Sequence, residues 1–225
     1  GWQLTNPVAV GDYVLVEPEI SAGQGVIKRI LPRKNYIVRQ SPRQKHQLHL
    51  LAANVDQACL ITTIIQPNLK QGFIDRFLLM TEPYNIPVII VFNKSDLFGP
   101  VETEIYEELK ALYTSLSYIV LKTSTVSKEN FEELKSLLNN KTTLVSGQSG
   151  VGKSSLIMGI EPTLTLSTDT ISDHSGKGQH TTTFAEMHQT SCNANIIDTP
   201  GIKTLSFNHL EPTDIAHNFR EIFEV

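Results

Sequence analysis

Nine residues in the second half of the chain constrain its fold more than any others: Gly147, Gln148, Ser149, Gly150, Val151, Gly152, Lys153, Ser154 and Ser155. The first eight match G-x4-G-K-[ST] without a mismatch. Glycines at these spacings let the backbone wrap so that successive N–H groups point inward at phosphate oxygens. Apolar Leu144-Val145 precedes the loop and Ser155-Leu156-Ile157 follows it, so the context is strand, loop, helix. Lys153 is then expected to neutralise β- and γ-phosphates, and Ser154 to offer its hydroxyl oxygen to Mg²⁺. The helix that starts there adds its positive end. The rival reading, a chance glycine-rich turn, does not account for that context.

Strands and helices alternate around this loop. Ala58–Ile61 and Val88–Phe92 are apolar runs, the second as continuous as a strand buried on both faces of a parallel sheet. Helical spacing predicts helices over 73–84, 102–116, 129–138 and onward from Lys153, with strands over 118–121, 143–146 and 194–197 between or after them. The pattern predicts an α/β fold, a doubly wound and mostly parallel sheet, with ligands at the carboxyl ends of its strands. Residues 181–187 also read as β. Ahead of it, Val14–Val16, Gly25–Ile27 and Tyr36–Val38 are short β-branched runs separated by turn residues. They suggest a partial all-β barrel of the OB type over residues 1–46, a fold that wants five strands, with its opening strands missing. A linker is expected over 47–54, and a catalytic domain over 55–210.

The base is read from a second motif. Asn93-Lys94-Ser95-Asp96 closes the Val88–Phe92 strand. Asp96 can accept hydrogen bonds from N1–H and the exocyclic amine of guanine, whereas adenine would leave the carboxylate unpaired. Asn93 is expected to tie the loop together and Lys94 to lay its stem along the base. Ser124 follows the next strand and is the candidate partner for the guanine carbonyl, although Ser124-Thr125-Val126 departs from the usual Ser-Ala-Lys. An exposed turn is the rival reading of such a tetrapeptide on its own.

A third motif, Asp198-Thr199-Pro200-Gly201, follows the strand that ends at Ile197. Asp198 is the candidate to hold Mg²⁺ through water, and the Gly201 amide to contact the γ-phosphate. Upstream, a polar stretch from Thr163 closes on Gly178-Gln179-His180-Thr181-Thr182-Thr183, as expected of a switch loop. Thr182 is the candidate to complete the metal shell. Ile202 stands where many such proteins place a water-orienting glutamine, and it cannot do that job. His180 is a candidate substitute, and a passive surface histidine is the rival. Slow intrinsic turnover follows unless a partner sets the geometry.

The motifs run base, phosphate, metal, whereas ordinary G domains run phosphate, metal, base. A circular permutation relocates the ends and leaves the sheet unchanged in space. The stretch after Gly201 would then run outward, where a nucleotide-driven change could move whatever follows. No run of about 18 apolar residues is present to span a membrane. The opening residues lack the features of a secretory signal. Two distant cysteines in apolar contexts, Cys59 and Cys192, read as reduced buried thiols of a cytoplasmic protein. The net charge of −4 argues against a chain that coats nucleic acid. Within residues 1–46, however, Lys28, Arg29, Arg33, Lys34, Arg39, Arg43 and Lys45 outnumber Asp12, Glu17 and Glu19. Either an anionic partner or a solvated surface accounts for that excess.

With the basic β segment in front, the permuted order resembles the ribosome small-subunit-dependent GTPases, the RsgA (YjeQ) family. The residues that carry the likeness are 6–12, Pro32-Arg33-Lys34-Asn35, Phe73-Ile74-Asp75-Arg76-Phe77, Asn93–Asp96, Gly147–Ser154, His180–Thr183 and Asp198–Ile202. The resemblance implies an OB domain, a permuted G domain, GTP/GDP and Mg²⁺ as ligands, and assistance to hydrolysis from His180. It also implies late 30S ribosomal subunit maturation, with the 30S subunit and 16S rRNA as partners and the ribosome stimulating hydrolysis. Members continue into a zinc-binding Cys/His region. Its Zn²⁺ ligands are absent from this chain, and residues 211–225 read as its helical start. A monomer is expected. Two other readings compete: a GTP-gated rRNA-binding module in which hydrolysis is incidental, and an ATP-dependent P-loop kinase indifferent to Asp96.

Overall fold

Alternate residues along one strand send their side chains to opposite faces of a sheet, and in this molecule both faces are covered. The computed structural model describes residues 3–4, 7–18, 25–40, 47–164, 166, 185–191 and 193–199. Its main sheet contains β6 (Gln57–Thr62), β7 (Val88–Asn93), β8 (Ile119–Thr123), β9 (Thr142–Gly147), β10 (Glu186–Gln189) and β11 (Asn195–Asp198). The order across the sheet is β10-β11-β9-β6-β7-β8. All neighbours are parallel except the edge pair β10–β11. Every residue of β6 and β7 is buried, as the unbroken apolar runs require.

The helices α1 (Gln71–Thr81), α2 (Pro100–Ser115), α3 (Phe131–Leu138) and α4 (Lys153–Ile160) divide into two layers. Ala58, Leu60, Ile90, Phe92 and Leu144 face one layer, against Phe73 and Phe77 of α1 and Tyr106 and Tyr113 of α2. Cys59, Ile61, Ile89, Val91 and Val145 face the other, against Leu134 of α3 and Leu156 and Ile157 of α4. Each Val, Leu, Ile or Phe among them contributes about 1.5–3 kcal/mol when fully buried. Burial also pushes the Cys59 thiol up to about 12, so it packs as an apolar group. Cys192 lies outside the described residues.

Ahead of the main sheet, β1 (Gln3–Leu4), β5 (Gln47–Ala53) and β4 (Tyr36–Gln40) form one small sheet. A separate antiparallel pair is made by β2 (Val14–Pro18) and β3 (Gly25–Ile30). Residues 47–54, expected as a linker, instead supply β5, which pairs antiparallel with β4 and parallel with β1. Leu50, Ala52 and Ala53 of that strand are buried, and Ala52 and Ile37 join the core beneath α1. The leucines and alanines of β5 carry little β-propensity, and pairing decides their conformation. Asp12 cross-links this region. Burial by itself would raise its pKa, but the Arg33 guanidinium, donating at 2.6 and 2.8 Å, and the Ala9 N–H hold the carboxyl below its usual range.

Two further boundaries differ from expectation. The helix expected from Glu129 begins at Phe131, because Asn130 takes a left-handed conformation (φ 55°) that stops helix propagation. The β segment expected over 181–187 is found as Glu186–Gln189, and residues 181–184 lie outside the described set. Residues 211–225 also lie outside it.

Candidate nucleotide site

Parallel strands deliver their carboxyl ends to the same edge of a sheet, and predicted residues end three of them, with Ser124 one residue past a fourth. Asn93 ends β7 opposite Thr123 of β8, Gly147 ends β9 beside Ile61 of β6, and Asp198 ends β11 beside Val145 of β9. Motifs separated along the chain therefore meet at one rim.

Asn93 joins them directly. Its side chain is buried, Nδ2 donates to the Val151 carbonyl at 2.8 Å, and Oδ1 accepts from Thr123 Oγ1 at 3.0 Å. The base loop is thereby fastened to the phosphate loop and to the next strand. Lys94 adds a second tie: left-handed at φ 65°, it donates through Nζ to Gly150 O at 2.7 Å and to Gln66 O. The ammonium is fixed on carbonyls, which leaves the stem lying across the loop. Asp96 is exposed, and its Oδ1 accepts from the fully buried Ser124 hydroxyl at 2.5 Å. Ser124 Oγ in turn accepts from the Val126 and Ser127 N–H groups at 3.1 and 3.2 Å. A carboxylate has about four lone-pair sites, so Asp96 keeps acceptor capacity after this bond.

The phosphate loop starts where β9 leaves the sheet. A Cβ on Gly147 would stand 2.5 Å from the Ile61 carbonyl, and none can be accommodated there. Gly152 has φ +86°, and a Cβ on it would meet Asn93 Nδ2 at 2.6 Å. Glycine at 152 thus permits both the left-handed turn into α4 and the approach of the base loop. Val151 is buried in the core beneath, which anchors the loop, while Gln148, Ser149 and Gly150 rise to the surface. Lys153, Ser154 and Ser155 form the first turn of α4.

Lys153 Nζ pairs with Asp198 Oδ1, and the two side chains are only 11% and 22% exposed. A shielded cation and anion therefore converge where the phosphate loop meets the end of β11. Thr199 secures that end: its N–H and hydroxyl both donate to Val145 O, at 3.3 and 3.0 Å. The donor set is hard oxygen, a serine hydroxyl on α4 and a carboxylate on β11. Mg²⁺ takes such donors in company with substrate phosphates and water. The predicted His180, Thr182 and Gly201 lie outside the described residues.

Behind the loop, α4 is anchored by a carboxylate that sequence reasoning did not single out. Glu161 is almost fully buried and accepts from Ser191 N at 2.7 Å, Ser191 Oγ at 2.6 Å and Thr163 Oγ1 at 2.5 Å. The Ser191 hydroxyl, then Thr163 and the Ser191 amide, hold it down to about 2. Thr123, Gln66 and Glu129 were also missed. Each meets its partner through the fold, and no local spacing announces it.

Comparison with known proteins agrees with this arrangement. The sequence model of the RsgA GTPase family matches residues 30–208. A protein of Flavobacterium psychrophilum named small ribosomal subunit biogenesis GTPase RsgA is 44% identical over 227 residues, covering 100% of this chain and 70% of that protein. A Phocaeicola vulgatus protein of the same name is 46% identical over 224 residues, covering 100% and 72%. Among solved structures, YjeQ from Thermotoga maritima superposes with a TM-score of 0.76 at 32% identity, covering 97% of this chain and 72% of that one. YloQ, described as a circularly permuted GTPase, gives 0.69 at 27% identity, covering 98% and 66%. With its permuted order of motifs, its mostly parallel sheet and these matches across its length, the chain belongs to the RsgA GTPase family.

Proposed function

We propose that this chain is a Mg²⁺-dependent GTP hydrolase that acts in late maturation of the 30S ribosomal subunit and is stimulated by that subunit. The observation that carries the catalytic half is the Asn93–Val151 hydrogen bond of 2.8 Å, which holds a guanine-type base loop against a phosphate loop. In this reading Asp96 accepts from guanine N1–H and the 2-amino group, and Ser124 lies beside the base carbonyl. Backbone N–H groups over 147–155 cradle the phosphates, and Lys153 exchanges its bond to Asp198 for phosphate oxygens. Ser154, Thr182 and Asp198 would hold Mg²⁺, which would neutralise charge on the phosphates when bound. Gly201 contacts the γ-phosphate and His180 assists the attacking water, Ile202 being unable to do so. Turnover by the isolated chain is slow.

The ribosomal half rests on the names of the relatives, each a small-subunit biogenesis GTPase. An OB-type module over the first strands faces 16S rRNA through its basic excess, with Arg29 exposed on β3, while Arg33 is committed to Asp12. The protein works as a monomer in the cytoplasm. The test is GTP hydrolysis by the purified chain with and without 30S subunits. Stimulation by roughly 1000-fold or more is expected, the scale on which a partner completes such sites. Tighter binding to subunits with no gain in rate would favour a GTP-gated RNA-binding module.

A further inference from the structure

We infer that Glu129 is a positioning residue for guanine recognition: by holding Ser95 it sets where the Asp96 carboxylate stands. The inference rests on the guanine reading of Asp96 and deepens it. Asp96 sits in a single 3₁₀ turn, Ser95–Leu97, that needs support from its surroundings. From below, Phe98 at the end of that turn packs on Tyr106 of α2, ring centroids 6.1 Å apart, and Tyr106 packs edge-on against Phe92 of β7 at 5.7 Å. From the side, the Ser95 hydroxyl donates to Glu129 Oε2 at 2.5 Å.

Glu129 is itself well fixed. Its Oε1 is paired with Lys122 Nζ at 3.3 Å, and its backbone bridges to that of Ser124. Asn130 next to it donates from Nδ2 to Lys122 O at 2.9 Å. One loop, 124–130, thus grips the base loop at two adjacent residues, Ser95 through Glu129 and Asp96 through Ser124. A carboxylate that must meet two donors on one base edge loses discrimination when its backbone can pivot. The delayed start of α3 at Phe131 is what leaves Glu129 in the loop and within reach of Ser95.

The experiment measures equilibrium affinities of the chain for GDP, for IDP, which lacks the 2-amino group, and for XDP. Glu129→Ala is expected to weaken GDP binding roughly tenfold and to narrow the GDP-to-IDP ratio, since a lost bond to a charged acceptor is of that size. Glu129→Gln keeps an acceptor for Ser95 and should hold both values within about twofold. Ser95→Ala should reproduce Glu129→Ala, and the double variant should be no worse than either single one. It also serves if Glu129→Ala fails to fold. An unchanged GDP-to-IDP ratio in Glu129→Ala or Ser95→Ala, with only thermal stability lowered, overturns the inference and leaves the guanine reading standing. If the unaltered chain does not prefer GDP over IDP and Asp96→Asn brings no shift toward XDP, the guanine reading itself fails, and this inference with it.

Discussion

The two ends of the candidate site are held in different ways. At the base end, Asn93, Lys94, Ser95 and Asp96 each have a partner from another part of the chain: Thr123 and Val151, Gln66 and Gly150, Glu129, and Ser124. At the phosphate end, Lys153 and Asp198 hold one another, and among the described residues the Ser146 hydroxyl at the end of β9 is buried with no hydrogen-bond partner. One end is cross-linked by neutral and charge-assisted bonds and has its shape already. The other keeps two opposite charges in reserve, each able to take a ligand of the opposite sign. Recognition needs a rigid reader, whereas catalysis needs charges that can transfer their pairing to phosphate and metal.

The contrast can be broken at the phosphate end most severely. Lys153→Ala removes the cation and should lower single-turnover GTP hydrolysis by roughly 100- to 1000-fold, the usual loss for one preorganised charge stabiliser. GDP should still be preferred over ADP, because the base loop is supported from elsewhere. Loss of that preference would show that the two ends are not separately maintained.

Asn93→Ala attacks the buried residue that ties the two ends together. It leaves the Thr123 hydroxyl and the Val151 carbonyl without their partner, a cost of about 3 kcal/mol by denaturant unfolding. Affinity should fall for GDP and for inorganic pyrophosphate alike, because both loops lose their buried tie and keep only the exposed one from Lys94. If pyrophosphate binding survives unchanged, the phosphate loop stands without the base loop.

A smaller effect sharpens the picture behind the phosphate loop. The Glu161 carboxyl falls from an ordinary 4.5 to about 2 through its bonds to Ser191 and Thr163. The depressed value favours the folded state fully above about pH 4.5, and that stabilisation disappears as pH falls toward 2. Glu161→Gln should therefore cost about 1–2 kcal/mol near neutral pH and progressively less below pH 4.5. Stability curves of the two proteins that stay parallel across that range would refute the assignment.

Much of this was legible without coordinates. The apolar run Val88–Phe92 announced a strand buried on both faces, and the loop at 147–154 announced its strand and helix, because both signals are written in consecutive residues. β5 was not legible. Gln47–Ala53 has no β-branched residue, and its conformation comes from β4 and β1 lying on either side. The role of Glu129 was hidden for a related reason. Helical periodicity runs through it, and only the left-handed Asn130 takes it out of the helix.

The amino-acid sequence alone determined the alternating α/β architecture, the permuted order of motifs and the residue types each motif offers. Those properties depend on side-chain type, backbone freedom at glycine and short-range periodicity. Tertiary structure decided which groups hold those motifs: Val151 on Asn93, Gln66 on Lys94, Glu129 on Ser95, Ser191 on Glu161. These pairs lie 28 to 58 positions apart along the chain. Hydrogen bonds over such separations form only after the sheet has set its strand order, so no local pattern encodes them.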